Sequence, residues 1–138
     1  MAHHTTTLTV ATHGQALYEI TDDVTRWLSG LDVTTGLVTI FCRHTSASLL
    51  INENAAPAVQ RDLLRWLRMV VPEGAGYEHD SEGPDDMPAH IRTMLTGAHL
   101  AIPVADGRMM LGTWQGIYLA EHRAAPHTRS VALHISGE

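Results

Sequence analysis

Imidazole and carboxylate side chains crowd into short stretches of this 138-residue chain, which has ten histidines, one cysteine and no lysine. Neutral imidazole is a common metal ligand and the only side chain that ordinarily titrates near neutrality, so a chain rich in it can hold a cation or move protons. Three histidines have company suited to that work: His44 in HTSASLLINEN (44–54), and His79 and His90 in YEHDSEGPDDMPAHI (77–91). In the first stretch, strand alternation puts His44, Ser46 and Ser48 on one face. Asn52 and Glu53 then emerge just before a helix whose first-turn donors favour anions, phosphate included. Glu53 there reads as a base or a metal ligand. The alternative is that Asn52 and Glu53 cap the helix while His44 bonds a backbone carbonyl.

The second stretch gathers Glu78, Asp80, Glu82, Asp85 and Asp86. In a bare loop these carboxylates repel one another, and a divalent cation or a cationic substrate relieves that repulsion. His79 and His90 do not share a helical turn, so the fold must bring them together. The competing reading is a solvated acidic loop with helix-capping aspartates. The third stretch is LGTWQGIYLAEHR (111–123), where two glycines bracket Thr113-Trp114-Gln115. Glycine in a strand pattern marks a bulge or a close backbone approach, and an aromatic face beside an amide and a hydroxyl suits a planar heterocycle. A Trp packed in the core and a Gln bonded to backbone would explain the same residues. Glu121, His122 and Arg123 close that strand, as site residues or as a surface ion pair.

The elements that must position these groups follow from hydrophobic period. Residues 5–10 alternate and residues 15–20 resume after His13-Gly14, which reads as a strand pair joined by a short turn. After Thr21 or Asp22 as N-cap, Val24, Trp27, Leu28 and Leu31 recur at helical spacing until Gly30 or the turn near it. Residues 36–42 and 48–51 read as strands flanking His44-Thr45-Ser46-Ala47. Pro57 opens a second helix with Val59, Leu63, Trp66, Leu67 and Val70 on its apolar face and Arg61, Arg65 and Arg68 toward water. Beyond a polar loop at 77–84, Asp85 or Asp86 caps a short helix docked by Ile91, Met94 and Leu95 and ended by Gly97. Residues 99–104 and 108–111 flank Ala105-Asp106-Gly107, a hairpin signal, and residues 115–121 and 129–135 complete the strands. Strands at both ends with helices between them predict a single α+β domain over 1–138 with a mostly antiparallel sheet, residues 1–4 being disordered or an added remnant.

Composition removes several function classes. A net charge of −6 with nine arginines supplies no basic field for nucleic acid and no polybasic face for an anionic membrane. The N-terminus lacks a signal-peptide pattern, and no apolar run approaches the roughly 20 residues of a membrane span, so a cytoplasmic location is expected. Cys42 has no partner for an internal disulfide or a cysteine-built zinc knuckle, and its apolar flanks mark it as a small buried residue. No nucleophile elbow, P-loop or dinucleotide-binding turn is present.

The three stretches, in this order and over nearly the whole chain, resemble the YjbQ (UPF0047-like) family, also described as secondary thiamine-phosphate synthases. The resemblance implies an α+β fold of two packed, mostly antiparallel sheets with about three flanking helices, assembled as a homotrimer with sites near the subunit boundaries. It implies a weak transferase activity joining hydroxymethylpyrimidine diphosphate to a thiazole phosphate with release of pyrophosphate, and a divalent metal at a histidine-containing site. The matching positions are His44, Asn52, Glu53, His79, Asp80, Glu82, His90 and Gln115. The expectation is thus a metal-dependent cytoplasmic enzyme with His44, His79 and His90 as ligands of a zinc-like ion, magnesium being the alternative. Glu53 and Asp80 are its candidate catalytic groups, and Asn52, Glu82, Trp114, Gln115 and Arg123 its substrate-binding groups. Two phosphorylated substrates call for several cationic clamps, however, and only Arg43, Arg92 and Arg123 lie near the motifs, which makes the thiamine reaction a candidate side activity. A hydrolase or transferase acting on another phosphorylated metabolite, and a non-catalytic metal or small-molecule binder, are the competing readings.

Overall fold

The computed structural model describes residues 1–138, with strands β1 (Ala2–Thr12), β2 (Ala16–Glu19), β3 (Gly36–Cys42), β4 (Ala47–Glu53), β5 (His99–Ala105), β6 (Arg108–Met109), β7 (Gln115–Glu121) and β8 (His127–Gly137). Helices α1 (Thr21–Ser29), α2 (Pro57–Val70) and α3 (Asp86–Thr96) complete the α+β fold. The strands make two antiparallel sheets, β1-β8-β3-β5-β6 and β2-β7-β4. Alternation builds the larger sheet: Val38 and Ile40, Val131, Leu133 and Ile135, and Ile102 and Val104 turn inward and are buried. They meet Leu49 of β4 and Ile117 and Leu119 of β7, with Ile20, Val24 and Leu28 closing one side of the same core. Gly36 and Gly137 face each other across β3 and β8, where a Cβ on either would strike backbone, so only glycine admits this approach.

β7 is covered on both faces. Its Tyr118 and Ala120 point away from the main core into a smaller cluster with Leu17, against which Leu63 and Leu64 of α2 pack. No helix is long and apolar enough to cross a membrane.

Four expectations fail. β1 and β2 do not pair with each other; β1 runs beside β8 and β2 beside β7, because the turn at 13–15 passes the chain from one sheet to the other. Residues 2–4, read as a frayed end, form the first rungs of β1 opposite Gly137, Ser136 and Ile135. Helix α2 buries only Leu67 and leaves Trp66 and Val70 half exposed. In α3 the docked face is Pro88, Ala89 and Arg92, while Met94 and Leu95 face outward. Cys42 is buried, as its flanks indicated, with Sγ 3.4 Å from the Ala47 carbonyl.

Candidate metal centre

Helix α3 places Asp86 and His90 one turn apart, so both side chains lie on the same face. The preceding loop reverses at Gly83, at φ +103, a conformation side-chain-bearing residues rarely adopt, and this folds His79 back over Asp86. His79 Nε2 lies 2.7 Å from Asp86 Oδ2, and His90 Nε2 lies 3.2 Å from the same oxygen. The ligand atoms of His79, Asp86 and His90 all fall within 4.8 Å of one another. Glu82 stands at the edge, 3.4 Å from His79. Asp86 is buried and His79 exposed, so the cluster has a dry anchor and an open mouth.

Arg123, just past β7, fixes the loop and the helix start together. Its Nε donates to Asp85 Oδ2 (2.9 Å), Nη1 to Asp86 Oδ1 (2.8 Å) and Nη2 to the Glu82 carbonyl (2.9 Å). The Ala124 N–H adds a 2.8 Å bond to Asp85. Asp85 occupies the N-cap position of α3 but makes no cap hydrogen bond, its carboxylate being committed to Arg123 and Ala124. Burial pushes the Asp86 carboxyl up, but the bond to His79 and the charges of His90 and Arg123 outweigh it and hold it below the usual carboxylate range. Asp85 is held low in the same way, the Ala124 N–H and Arg123 overcoming its burial. The hydrogen bond to Asp86 raises His79.

His90 carries the chemical information. Its Nδ1 lies 2.7 Å from the Thr45 carbonyl, which can only accept, so Nδ1 holds a proton. In a neutral ring Nε2 then presents a lone pair to the carboxylate oxygen of Asp86, an arrangement that needs a second proton or a cation between them. An imidazole whose far nitrogen is fixed by a carbonyl is the usual posture of a metal-bound histidine.

His44 is placed elsewhere. Its Nε2 accepts the Ser130 N–H at 2.7 Å, and Nδ1 lies 3.5 Å from Arg129, so the third side chain of the cluster is Asp86 and not His44. Burial and then Arg129 lower its pKa. The motif still serves the centre, through the carbonyl of Thr45 rather than the ring of His44. Around His44 lies a buried polar network. Arg129 grips Glu121 through Nε (2.7 Å) and Nη2, Thr12 donates to the same carboxylate at 2.6 Å, and both charged groups are almost fully enclosed. His122 sits beside it with Nε2 2.8 Å from Ser48 Oγ, and burial lowers its pKa from 6.5 to about 4.

Glu53 and Gln115 pair in register at the opposite end of β4 and β7 from Ala47 and Glu121. Glu53 Oε2 accepts the N–H groups of Ala55 (3.2 Å) and Ala56 (3.0 Å), Asn52 Oδ1 accepts the Glu53 N–H, and Gln115 Oε1 accepts the Gly112 N–H at 2.7 Å. Trp114 is exposed beside them. These are local loop bonds, and none reaches the histidine cluster. Asp80 is exposed on the wall of a hollow that also includes His79. Arg123, read as a substrate contact, has its guanidinium engaged by Asp85, Asp86 and the Glu82 carbonyl. The cluster member that sequence reasoning left out of its site is Asp86, and its signal was the four-residue spacing to His90. A cavity of about 570 Å³ between α1 and the β5-β6 hairpin holds none of these groups.

The family model for UPF0047 protein YjbQ-like matches residues 6–138. The chain belongs to the YjbQ/UPF0047 family. It is 49% identical to the UPF0047 protein sll1880 of Synechocystis over 98% of this chain and 92% of that one. It is 47% identical to UPF0047 protein YjbQ of Salmonella typhimurium over 96% of each. Among solved YjbQ-like folds, the hypothetical protein APE1520 of Aeropyrum pernix superimposes with a TM-score of 0.90 at 31% identity, covering 98% of this chain and 99% of that one. A YjbQ/UPF0047 protein of Clostridium acetobutylicum gives 0.84 at 37% identity, with 96% and 99% covered. These likenesses extend to the two-sheet architecture that positions the cluster.

Proposed function

We propose that this YjbQ/UPF0047 protein is a cytoplasmic, metal-dependent enzyme centred on His79, Asp86 and His90, with thiamine-phosphate formation a side activity. The observation that carries the reading is the convergence of His79 Nε2 and His90 Nε2 on one oxygen of the buried Asp86 carboxylate, with the far nitrogen of His90 held by the Thr45 carbonyl. Two imidazoles and one carboxylate are a donor set that suits zinc better than magnesium, which prefers an all-oxygen shell. A divalent cation there supplies Lewis acidity toward a substrate oxygen. The chain's own part is orientation: Thr45 fixes His90, Arg123 fixes Asp86, and the exposed Asp80 and Glu82 are the nearest free groups able to take a proton. A phosphorylated substrate would need a cationic clamp, and Arg123 is already committed, which is why thiamine-phosphate formation is placed second.

The same proposal includes assembly as a homotrimer. What supports association is the outer face of the larger sheet, where Thr7, Ala132, Thr39, Phe41 and Ala101 lie on adjacent strands and the outward acidic or arginine side chains are confined to Arg108 on the edge strand β6. Depletion of charge around exposed apolar groups such as Leu37 and Phe41 marks the core of a protein interface. In such an assembly the Asn52, Glu53, Trp114 and Gln115 end of one copy is the available source of substrate contacts for the centre of another. Native mass spectrometry of zinc-loaded protein reads both claims: close to one zinc per chain in a three-chain particle, and no zinc in His79→Ala or His90→Ala. Zinc retained by both variants, or never taken up by the parent, removes the metal reading; a single-chain particle removes the assembly.

A further inference from the structure

The hollows beside the centre carry information about the guest. Two adjoining depressions, of about 500 and 420 Å³, share Tyr77, His79 and Met87, so the exposed histidine of the cluster stands in the wall of both. The Tyr77 hydroxyl is tied to the Pro72 carbonyl at 2.9 Å, which fixes the ring at this wall. Glu78 lines one hollow and Asp80 the other, and both are exposed with no cation paired to them. From 77 to 90 the chain holds five carboxylates and no lysine or arginine. The one guanidinium that reaches this segment, Arg123, is spent on Asp85 and Asp86, so even a divalent cation at the centre leaves negative charge in excess. The other nearby arginine, Arg92, is buried and bonded to Val71 and Gln15.

An aromatic ring and a thioether common to both hollows, with one unpaired carboxylate lining each, are the chemistry that recognises a positively charged nitrogen on an apolar body. We infer that the physiological substrate of the His79–Asp86–His90 centre is an unphosphorylated, cationic small molecule, seated against Tyr77 and Met87 with its positive nitrogen in the combined field of Glu78 and Asp80. This rests on the metal-centre reading above and names the substrate class for it.

The test uses zinc-loaded protein and three probes of similar body and different charge: benzyltrimethylammonium, which has no lone pair to offer a metal, benzyl alcohol and benzyl phosphate. Titration calorimetry is expected to show the ammonium probe binding about tenfold more tightly than the alcohol, the sum of a cation–π contact and partly screened carboxylates. The phosphate should be weakest despite its affinity for metal. In a Glu78→Gln, Asp80→Asn double variant the preference for the cation should fall to within about twofold, with zinc content unchanged. Benzyl phosphate binding best, or ammonium and alcohol binding alike, overturns the substrate class and leaves the metal centre standing. Absence of zinc in the parent, read on the same sample, overturns the centre and this inference with it.

Discussion

The two ends of β7 have opposite characters. At Glu121–Arg123 every charged group is paired with another element: Glu121 with Arg129 and Thr12, Arg123 with Asp85 and Asp86. At the other end Gln115 and Glu53 bond to backbone two or three residues away, Gln115 exposed and Glu53 only partly buried. A seven-residue strand spans roughly 20 Å, too far for one small molecule to touch both ends within one chain. The first end is built to hold side chains still, whereas the second is built to close a loop. A cluster of polar residues in the sequence therefore identifies a chemically loaded segment without saying which end of a strand its members occupy.

The largest effect expected from breaking this contrast comes at the pinned end. Arg129→Met leaves the Glu121 carboxylate buried without its partner, and removing one member of a buried pair costs about 3–5 kcal/mol. Urea denaturation should show that loss, and a Glu121→Leu, Arg129→Met double variant should recover much of it, because two well-packed apolar groups carry no stranded charge. A single-variant loss below about 1 kcal/mol would mean that water reaches Glu121 and that this end is no more rigid than the other.

Next in size is a pH effect at the same end. His122 is neutral in the folded protein because burial drops its pKa from 6.5 to about 4. As pH falls below 6.5 the unfolded chain takes up this proton and the folded one does not, so stability declines with falling pH until about 4. Between pH 7 and pH 5 the decline from this residue is about 2 kcal/mol. His79, raised by its bond to Asp86, has the opposite sign: its contribution is held at low pH and lost as pH rises through its raised pKa. Comparing parent with His122→Gln across that window isolates the first term, and parallel curves for the two proteins would show that His122 does not report on burial at all.

What was legible in the sequence follows the same division. Elements with a clean period, such as β3 with Val38 and Ile40 inward, were readable because alternation is a local signal. All three cluster residues, His79, Asp86 and His90, lie in the one stretch where histidines and carboxylates crowd. The pairing of β1 with β8 was not readable, because nothing in residues 2–12 says which of several alternating strands lies beside them. His44 was misplaced for a related reason: its chemistry fits a ligand equally well, and only the backbone N–H of Ser130, 86 positions away, decides otherwise. Arg123 was read as a substrate contact because three acceptors supplied by a distant loop are invisible from the residues beside it.

The smallest effect tests the loop-closing end. Glu53 was a candidate base, yet its Oε2 accepts two successive N–H groups at the entry to α2, whose N-cap, Ala56, has no side chain of its own to offer them. If that is its task within the chain, Glu53→Gln keeps an acceptor oxygen and loses only the charge assistance of the bonds, a cost of about 1 kcal/mol or less in urea denaturation. Glu53→Ala removes the acceptor and should cost about 1–2 kcal/mol, as other lost helix-entry bonds do. Neither variant should lower zinc content, since Glu53 lies a strand length from His79 and His90. Zinc lost from both with stability unchanged would show instead that this carboxylate reaches the centre of a neighbouring copy, and the two ends of β7 would then be halves of one site.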